Sequence, residues 1–381
     1  MRSGLALALL PGHVHDLVPV PWRRVLPRLT LVVALLPVVG CEHTAPFSPE
    51  TYGSSQAFTI GSPRRLTYSA GQDLGPAWLP DESGIVYSQQ RIERPDGDRC
   101  LAILPPDGGQ LIRTICNTLP AADDSTDVYA EPAADSAGDL AYIEASSVIG
   151  AQAPLMTRLV LRSLTDSAAP PRAIVAYPYF VTGALPRDGA MQIRWLGSST
   201  IVYVGLSIAR ERACKTCALD TVQTGVAIDR VDVRAPGAPP AVLSGTDYAT
   251  SVAAGPTPDI IYYTLGGDSR VFRRTISSGA DIVVYDFGFS GIARDVQVAG
   301  SRLVAVVGGR VGFVYDPLLG HPVQRDTGGP IHVVDLNAGT EAVLSAPVSS
   351  FRHPALSPSG KRLVAESGGT APSDLWEFSL P

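Results

Sequence analysis

The stretch Arg64–Ser88, RRLTYSAGQDLGPAWLPDESGIVYS, contains two strand-like runs on either side of a tight turn. The runs PAWL and GIVYS are apolar and aromatic, as strands usually are. Between them, Pro80–Gly84 (PDESG) combines a proline that fixes φ, an aspartate that bonds nearby backbone and a glycine that tolerates positive φ. The stretch therefore predicts a β-hairpin.

A second copy of this hairpin lies near the C-terminus, where His353–Ser367 reads HPALSPSGKRLVAES. Both copies resemble the repeat of TolB-type (WD-like repeat) propellers, whose pattern is roughly P-x-W-S-P-D-G-x-x-I-x-Y. The resemblance covers about residues 58–381 and implies an all-β, β-propeller domain. TolB itself has an αβ domain before its propeller, and the resemblance does not extend to such a domain. The role of TolB in its envelope complex is therefore not carried over.

Weaker copies of the hairpin lie between the two sharp ones. The return strands begin at Ile85, Leu140, Ile201, Ile260, Leu303 and Leu363, roughly 43 to 61 residues apart. This period fits propeller blades, and two further strand-like runs after each hairpin give four strands per unit. We therefore expect six four-stranded blades; a seven-bladed ring and a β-sandwich are the alternatives.

The ends of the repeat region predict how the ring closes. The last unit supplies three strands, and Pro63–Thr67 precedes the first hairpin with nothing else to pair with. TolB-type propellers close by pairing an N-terminal strand with the last blade. We expect Arg65 and Leu66 to pair with the strand around Leu375–Phe378.

The N-terminus resembles a bacterial lipoprotein signal. Arginines precede the apolar run Leu29–Val39, and Val38–Cys41 (VVGC) resembles a lipobox. By that resemblance, residues 1–40 are a signal peptide and Cys41 carries the lipid. An ordinary signal peptide or a membrane span is the alternative, although about 11 apolar residues are short for a span.

Residues 41–57 then form a polar, Pro- and Ser-rich tether, followed by the propeller at 58–381. Removing residues 1–40 changes the net charge from −6 to −9, and Lys215 and Lys361 are the lysines of the whole chain. An acidic domain so poor in lysine argues against nucleic acid as a partner. We expect an exported, monomeric protein that its lipid holds on the periplasmic or cell-surface side, with the outer membrane favoured.

Four further cysteines lie in the exported domain, where disulfides persist. Cys100 and Cys116 bracket a hairpin whose turn at Asp107–Gly109 places them opposite each other, within disulfide reach. Cys214 and Cys217 lie in a long connection. A local disulfide is the simplest interpretation there; a redox site or a zinc site lacks the surrounding sequence that it needs.

The residue before each innermost strand should point toward one mouth of the central channel. These positions include the ligand-binding candidates Glu131, Gln192, Asp295 and His353, together with Gly75 and Ser251. Two carboxylates, an amide and an imidazole could bind a cation, a sugar or a basic peptide, or perform acid–base chemistry. Polar residues also line water-filled channels without any such role.

The sequence contains no G-x-S-x-G nucleophile motif and no nucleotide-binding glycine loop. We predict no catalytic residue, no cofactor and no metal site. The sequence favours a lipid-anchored, non-catalytic platform for an envelope protein, a peptide or a small ligand at the channel mouth. The alternative is an enzyme of that mouth, such as a polysaccharide lyase or hydrolase.

Overall fold

The computed structural model describes residues 61–90, 98–116, 125–148, 156–176, 192–211, 220–309, 311–316, 321–326, 328–344, 350–368 and 373–380. In these residues the regular structure is 26 β-strands and one short 3₁₀ helix, Gly288–Ser290. None of the helices in the described ranges is both long enough and apolar enough to pass through a bilayer.

The first half of the domain contains three four-stranded antiparallel units. An eight-stranded sheet divides into two of them, because one parallel pairing, Arg99 with Val128, is all that joins its halves. Blade 1 is β2 (Asp73–Trp78), β3 (Ile85–Gln90), β4 (Arg99–Leu104) and β5 (Arg113–Ile115); blade 2 is β6 (Ser125–Ala134), β7 (Asp139–Val148), β8 (Met156–Ser163) and β9 (Arg172–Ala176); blade 3 is β10 (Arg194–Leu196), β11 (Thr200–Glu211), β12 (Asp220–Asp232) and β13 (Ala241–Val242).

The second half contains three more units, and its middle unit carries an inserted hairpin between its second and third strands. Blade 4 is β14 (Ala249–Ala254), β15 (Ile260–Leu265), β16 (Arg270–Thr275) and β17 (Ala280–Asp286); blade 5 is β18 (Ala293–Ala299), β19 (Arg302–Val307), β22 (Ile331–Asp335) and β23 (Thr340–Leu344), with the inserted hairpin β20 (Val311–Asp316) and β21 (His321–Asp326); blade 6 is β24 (Phe351–Leu356), β25 (Arg362–Ser367), β26 (Leu375–Ser379) and β1 (Arg64–Arg65). The prediction of a β-propeller with six four-stranded blades is confirmed for the described residues.

Ring closure follows the prediction closely. Arg64 pairs with Glu377 and Arg65 with Trp376, and the Leu66 N–H donates to the Leu375 carbonyl at 2.7 Å. The C-terminal part of the chain supplies three strands of blade 6, and the N-terminal strand β1 supplies the fourth, outermost one.

An ion cluster, which we call the closure clamp, covers this pairing. The Glu377 carboxylate, whose side chain is 2% exposed, accepts from both Arg64 and Arg362. The same two guanidinium groups also contact Asp107 and the carbonyl of Pro106 in the turn of blade 1. The clamp therefore joins the N-terminal strand, the last blade and the first blade.

The first hairpin forms as its sequence predicts, with one difference in detail. Leu79 N–H bonds the Gly84 carbonyl at 2.9 Å, and the Asp81 carboxylate accepts from the Ser83 N–H at 3.0 Å. The positive φ expected at Gly84 falls instead on Glu82 (φ 58°). Gly84 lies in a tight space, because a Cβ there would be 3.1 Å from the Leu104 carbonyl oxygen.

The hairpin disulfide is also present. Cys100 and Cys116 are bonded, with their Cα atoms 4.6 Å apart, and the register around them is the one that the sequence predicts. Cys41, Cys214 and Cys217 lie outside the described residues, as do the signal peptide and the tether.

The two faces of the ring are built differently. We call the side where the first strand of each blade begins the upper face. Because the strands of a blade alternate in direction, blade-to-blade connections and second-to-third-strand connections return to this face. The strand ends on this face bound the two longest connections, 177–193 and 308–330, whereas the longest connections bounded by strand ends on the lower face are 105–112, 164–171 and 233–240.

Candidate functional site

The first strands of four blades carry a bulge at the same place. The pairing register shifts at Leu74/Ala77, Ala130/Ala133, Arg294/Gln297 and Arg352/Ala355. A residue with positive φ occupies each bulge: Gly75, Glu131, Asp295 and His353, at 56°, 51°, 49° and 44°. Proline follows three of the four, and proline is tolerated within sheets mainly at bulges and edges.

Positive φ is unfavourable for residues other than glycine, at a cost of roughly 1–2 kcal/mol each. Glu131, Asp295 and His353 nevertheless adopt it, one in each of three blades. Strained residues that persist at equivalent places in a fold are concentrated at functional sites. The side chains of Glu131, Asp295 and His353 lie close to one another, and Gln192, which precedes β10, contacts Asp295.

Asp295 is the centre of this meeting point. One carboxylate oxygen accepts from the side-chain amide of Gln192 at 2.7 Å, and the other accepts from the backbone N–H of His353 at 3.2 Å. The amide oxygen of Gln192 in turn accepts from the Val252 N–H at 3.3 Å. Asp295 and Gln192 are both buried, so one chain of hydrogen bonds links blades 3, 4, 5 and 6.

Glu366 on β25 forms a second centre. This fully buried carboxylate lies 3.1 Å from His353 Nδ1 and 2.8 Å from Arg352 Nε, and it accepts from the Gly75 N–H at 2.7 Å. At this distance the imidazole and the carboxylate form an ion pair.

These contacts shift both pKa values. Burial alone would favour neutral forms, yet the positive charges of Arg352 and His353 lower the pKa of Glu366 to about 2. Burial likewise opposes protonation of His353, but Glu366, and then Asp295 and Glu131, raise its pKa to about 10. The imidazolium and the carboxylate are therefore both charged across the neutral pH range.

Glu131 reaches from blade 2 toward blade 1. Its Oε1 lies 3.7 Å from the place where a Cβ of Gly75 would be. Burial raises the pKa of Glu131 to about 7, and nearby Glu366 and Asp295 act in the same direction, while His353 and Arg194 oppose the shift. Glu131 is thus the member of the cluster that can exchange a proton near neutral pH.

Arg194 on β10 is the basic residue that faces Glu131 and Asp295. Burial lowers its pKa, and the two carboxylates act against that shift. Together with Arg352 and His353, it places three basic groups among three carboxylates. The cluster is therefore balanced in charge.

The space within the cluster is small. Gly75, Glu131, His353 and Glu366 line a cavity of about 10 Å³, which is close to the minimum for one water molecule. Among the described residues, no group of three or more His, Cys, Asp or Glu side chains is placed to hold a metal ion. The channel therefore holds a charge-balanced, closely packed polar cluster.

The structure brings together all four candidates that the sequence named, Glu131, Gln192, Asp295 and His353. Ser251 joins them from blade 4, since its hydroxyl accepts from the Val296 N–H at 3.2 Å. Whether the cluster binds a ligand stays a prediction. Sequence reasoning missed Arg194 and Glu366; the signal for each was a charged residue within an otherwise apolar strand, in IRWL and LVAES.

Comparisons with known proteins support the fold. TolB from Acinetobacter baumannii superposes with a TM-score of 0.50 at 13% identity, over 79% of this chain and 64% of TolB. The gluconolactonase XC5397 from Xanthomonas campestris superposes with a TM-score of 0.51 at 16% identity, over 84% of this chain and 89% of that protein. The chain thus spans less than two thirds of the length of the A. baumannii TolB.

These similarities show that the chain has the β-propeller fold found in TolB, as its repeats predict. No protein-family model matches the sequence, and no curated protein matches it significantly. At 13–16% identity the likeness extends to the fold alone.

Proposed function

We propose that this chain is a lipid-anchored, non-catalytic platform of the bacterial cell envelope, and that its upper face binds a protein, a peptide or a small ligand. The observation that carries the proposal is the asymmetry of the ring. The strand ends on the upper face bound the longest connections, one of which contains the hairpin β20–β21, and binding residues are concentrated on loops held by a rigid scaffold.

The channel cluster supports a structural role beneath that face. Hydrogen bonds through Gln192, Asp295 and Glu366 join blades 1, 3, 4, 5 and 6, and Glu366 forms ion pairs with Arg352 and His353. Buried polar networks of this kind make a core more rigid. An active site needs room for substrate next to such groups, whereas the cavity among them is the size of one water molecule.

The lipid anchor is the part of the proposal that depends on sequence alone, through the lipobox-like segment ending at Cys41. An anchor of this kind would hold the domain at the envelope on the periplasmic or cell-surface side. The polar residues 41–57 would then let the upper face reach a partner away from the membrane.

Affinity purification from solubilised envelope tests the platform. Three forms of the chain are compared: wild type, an upper-face variant with 310–327 replaced by a short Gly-Ser turn, and a lower-face control with 235–238 replaced by Gly-Ser. We expect a partner that the wild type and the control retain and the upper-face variant loses. Retention by the upper-face variant together with loss by the control would contradict the proposal.

An enzyme of the channel mouth is the second candidate. Glu131, with a pKa of about 7 beside charged His353, has the properties of a general acid or base. The gluconolactonase above shares the fold, so propellers of this kind accommodate catalysis. Turnover of a lactone or of an acidic oligosaccharide that is lost in Glu131→Gln, a variant of the same shape, would favour this candidate over the platform.

A further inference from the structure

An exposed aromatic patch lies on the upper face at blade 4. Phe289 is fully exposed, Tyr248 is 75% exposed and Ile292 is 45% exposed. The segment 266–268 joins their loops: the Gly266 N–H donates to the Tyr248 carbonyl and the Ala293 N–H donates to the Asp268 carbonyl, at 2.8 and 2.9 Å. We call Tyr248, Phe289 and Ile292 the aromatic patch.

Tyr248 is held in an unfavourable conformation. Its φ is 66°, which is a rare value for a bulky side chain. The backbone is fixed on both sides, since its N–H donates to the Val226 carbonyl and its own carbonyl accepts from Gly266, each at 2.8 Å. The fold thus maintains a strained backbone at Tyr248 although the aromatic ring is exposed to solvent. The ring gains little stabilisation from burial that would offset this strain.

The residues around the aromatic patch are mainly acidic. Asp247 and Asp286 are exposed. Asp268 forms an ion pair at 2.7 Å with Arg270, the first residue of β16. Hydrogen bonds from Ser269 and the Gly288 N–H lower the pKa of Asp286, so it is ionised at neutral pH. The rim therefore carries an excess of negative charge around an apolar centre.

We propose that the aromatic patch docks a protein segment in which an apolar side chain is flanked by Lys or Arg. Exposed aromatic residues are the usual anchors of protein interfaces, and complementary rim charge guides association. An anionic lipid surface would be repelled by the same carboxylates, and a second copy of the chain would place like charges opposite each other. This inference rests on the proposed function and names the partner chemistry of its upper face.

Selection from a random 12-residue peptide display library on the purified full chain tests the proposal. We expect selected peptides to combine an aromatic or aliphatic residue with at least two Lys or Arg. Their affinity should fall at least about tenfold in Phe289→Ala and in Tyr248→Gly, and less than about twofold in Ile112→Ala, an equally apolar exposed residue of the lower face. Asp247→Asn with Asp286→Asn should weaken binding and reduce its dependence on salt.

Tyr248→Gly separates binding from folding, because glycine relieves the positive φ. Its melting temperature should equal or exceed that of the wild type while its affinity falls. Peptides that bind all patch variants as well as the wild type would overturn this inference, and so would a selection that yields no binding peptide. Either result leaves the platform standing, because the affinity purification tests the platform separately. Binding of phosphatidylglycerol vesicles, or self-association, that depends on Phe289 would also overturn it.

Discussion

Removing the carboxylate of the closure clamp should destabilise the propeller strongly. Glu377→Ala leaves Arg64 and Arg362 without their buried partner, and breaking a buried ion pair typically costs about 3–5 kcal/mol. The lower end applies here, because the Arg64 and Arg362 side chains are 11% and 22% exposed and both keep Asp107 and the Pro106 carbonyl. We therefore expect a loss of about 3 kcal/mol.

Thermal unfolding measures this loss. With about 2 cal/mol/K of unfolding entropy per residue and about 320 residues in the domain, a loss of about 3 kcal/mol lowers the Tm by about 4–5 °C. The matched control is Asp232→Asn, which breaks an exposed pair with Arg234 and should leave the Tm unchanged. If Glu377→Ala melted together with this control, the clamp would not hold the ring closed.

Three further predictions concern other parts of the chain. The pKa of Glu131 is raised from 4.5 to about 7 on folding, so its contribution to stability is complete below pH 4.5 and is lost as the pH rises through 7. The Tm of Glu131→Gln should therefore fall less than that of the wild type between pH 5 and 8. Equal decreases in Tm would count against a buried, protonated Glu131. Replacing Cys100 and Cys116 by Ser should cost about 3 kcal/mol for a loop of this length, and non-reducing peptide mapping that found both thiols free in oxidised wild type would contradict the bond. Cys41→Ser should give a soluble or uncleaved protein after a carbonate wash, whereas membrane retention at the mature size would argue against lipidation.

The sequence was most informative where turn chemistry and strand patterning agree. Pro80–Gly84 and the segment before Leu363 predict hairpins that the structure contains, and Pro63–Thr67 predicts the ring-closing strand. The Cys100–Cys116 register also follows from counting residues outward from a single turn. Local pattern is sufficient in these places because each strand pairs with a close neighbour or with the chain end.

The channel cluster was predicted in position but not in chemistry. Aligning the first strands places Glu131, Asp295 and His353 at one mouth, since equivalent residues of a ring converge on its axis. Glu366 lies on a second strand and Arg194 beyond the aligned position, so an argument from first strands alone could not include them. With Arg352 also counted, three basic groups face three carboxylates, so the cluster is balanced in charge rather than predominantly acidic.

The aromatic patch was beyond sequence reasoning for another reason. Tyr248 and Phe289 stand in polar loops where isolated aromatic residues have no periodic pattern to place them. Backbone hydrogen bonds through 266–268 connect the two inter-blade loops that carry them. Loop conformations of this kind depend on the completed ring.

The position of β1 also decides how the domain responds to mechanical load. The chain enters the propeller through Arg64–Arg65, the strand that closes the ring against β26. A pull on the chain before residue 61 therefore reaches the closure first, and it loads a strand of two residues and the Glu377 clamp before any other blade. Tension applied from the N-terminal side is therefore expected to act first on the pairing that closes the ring at blade 6.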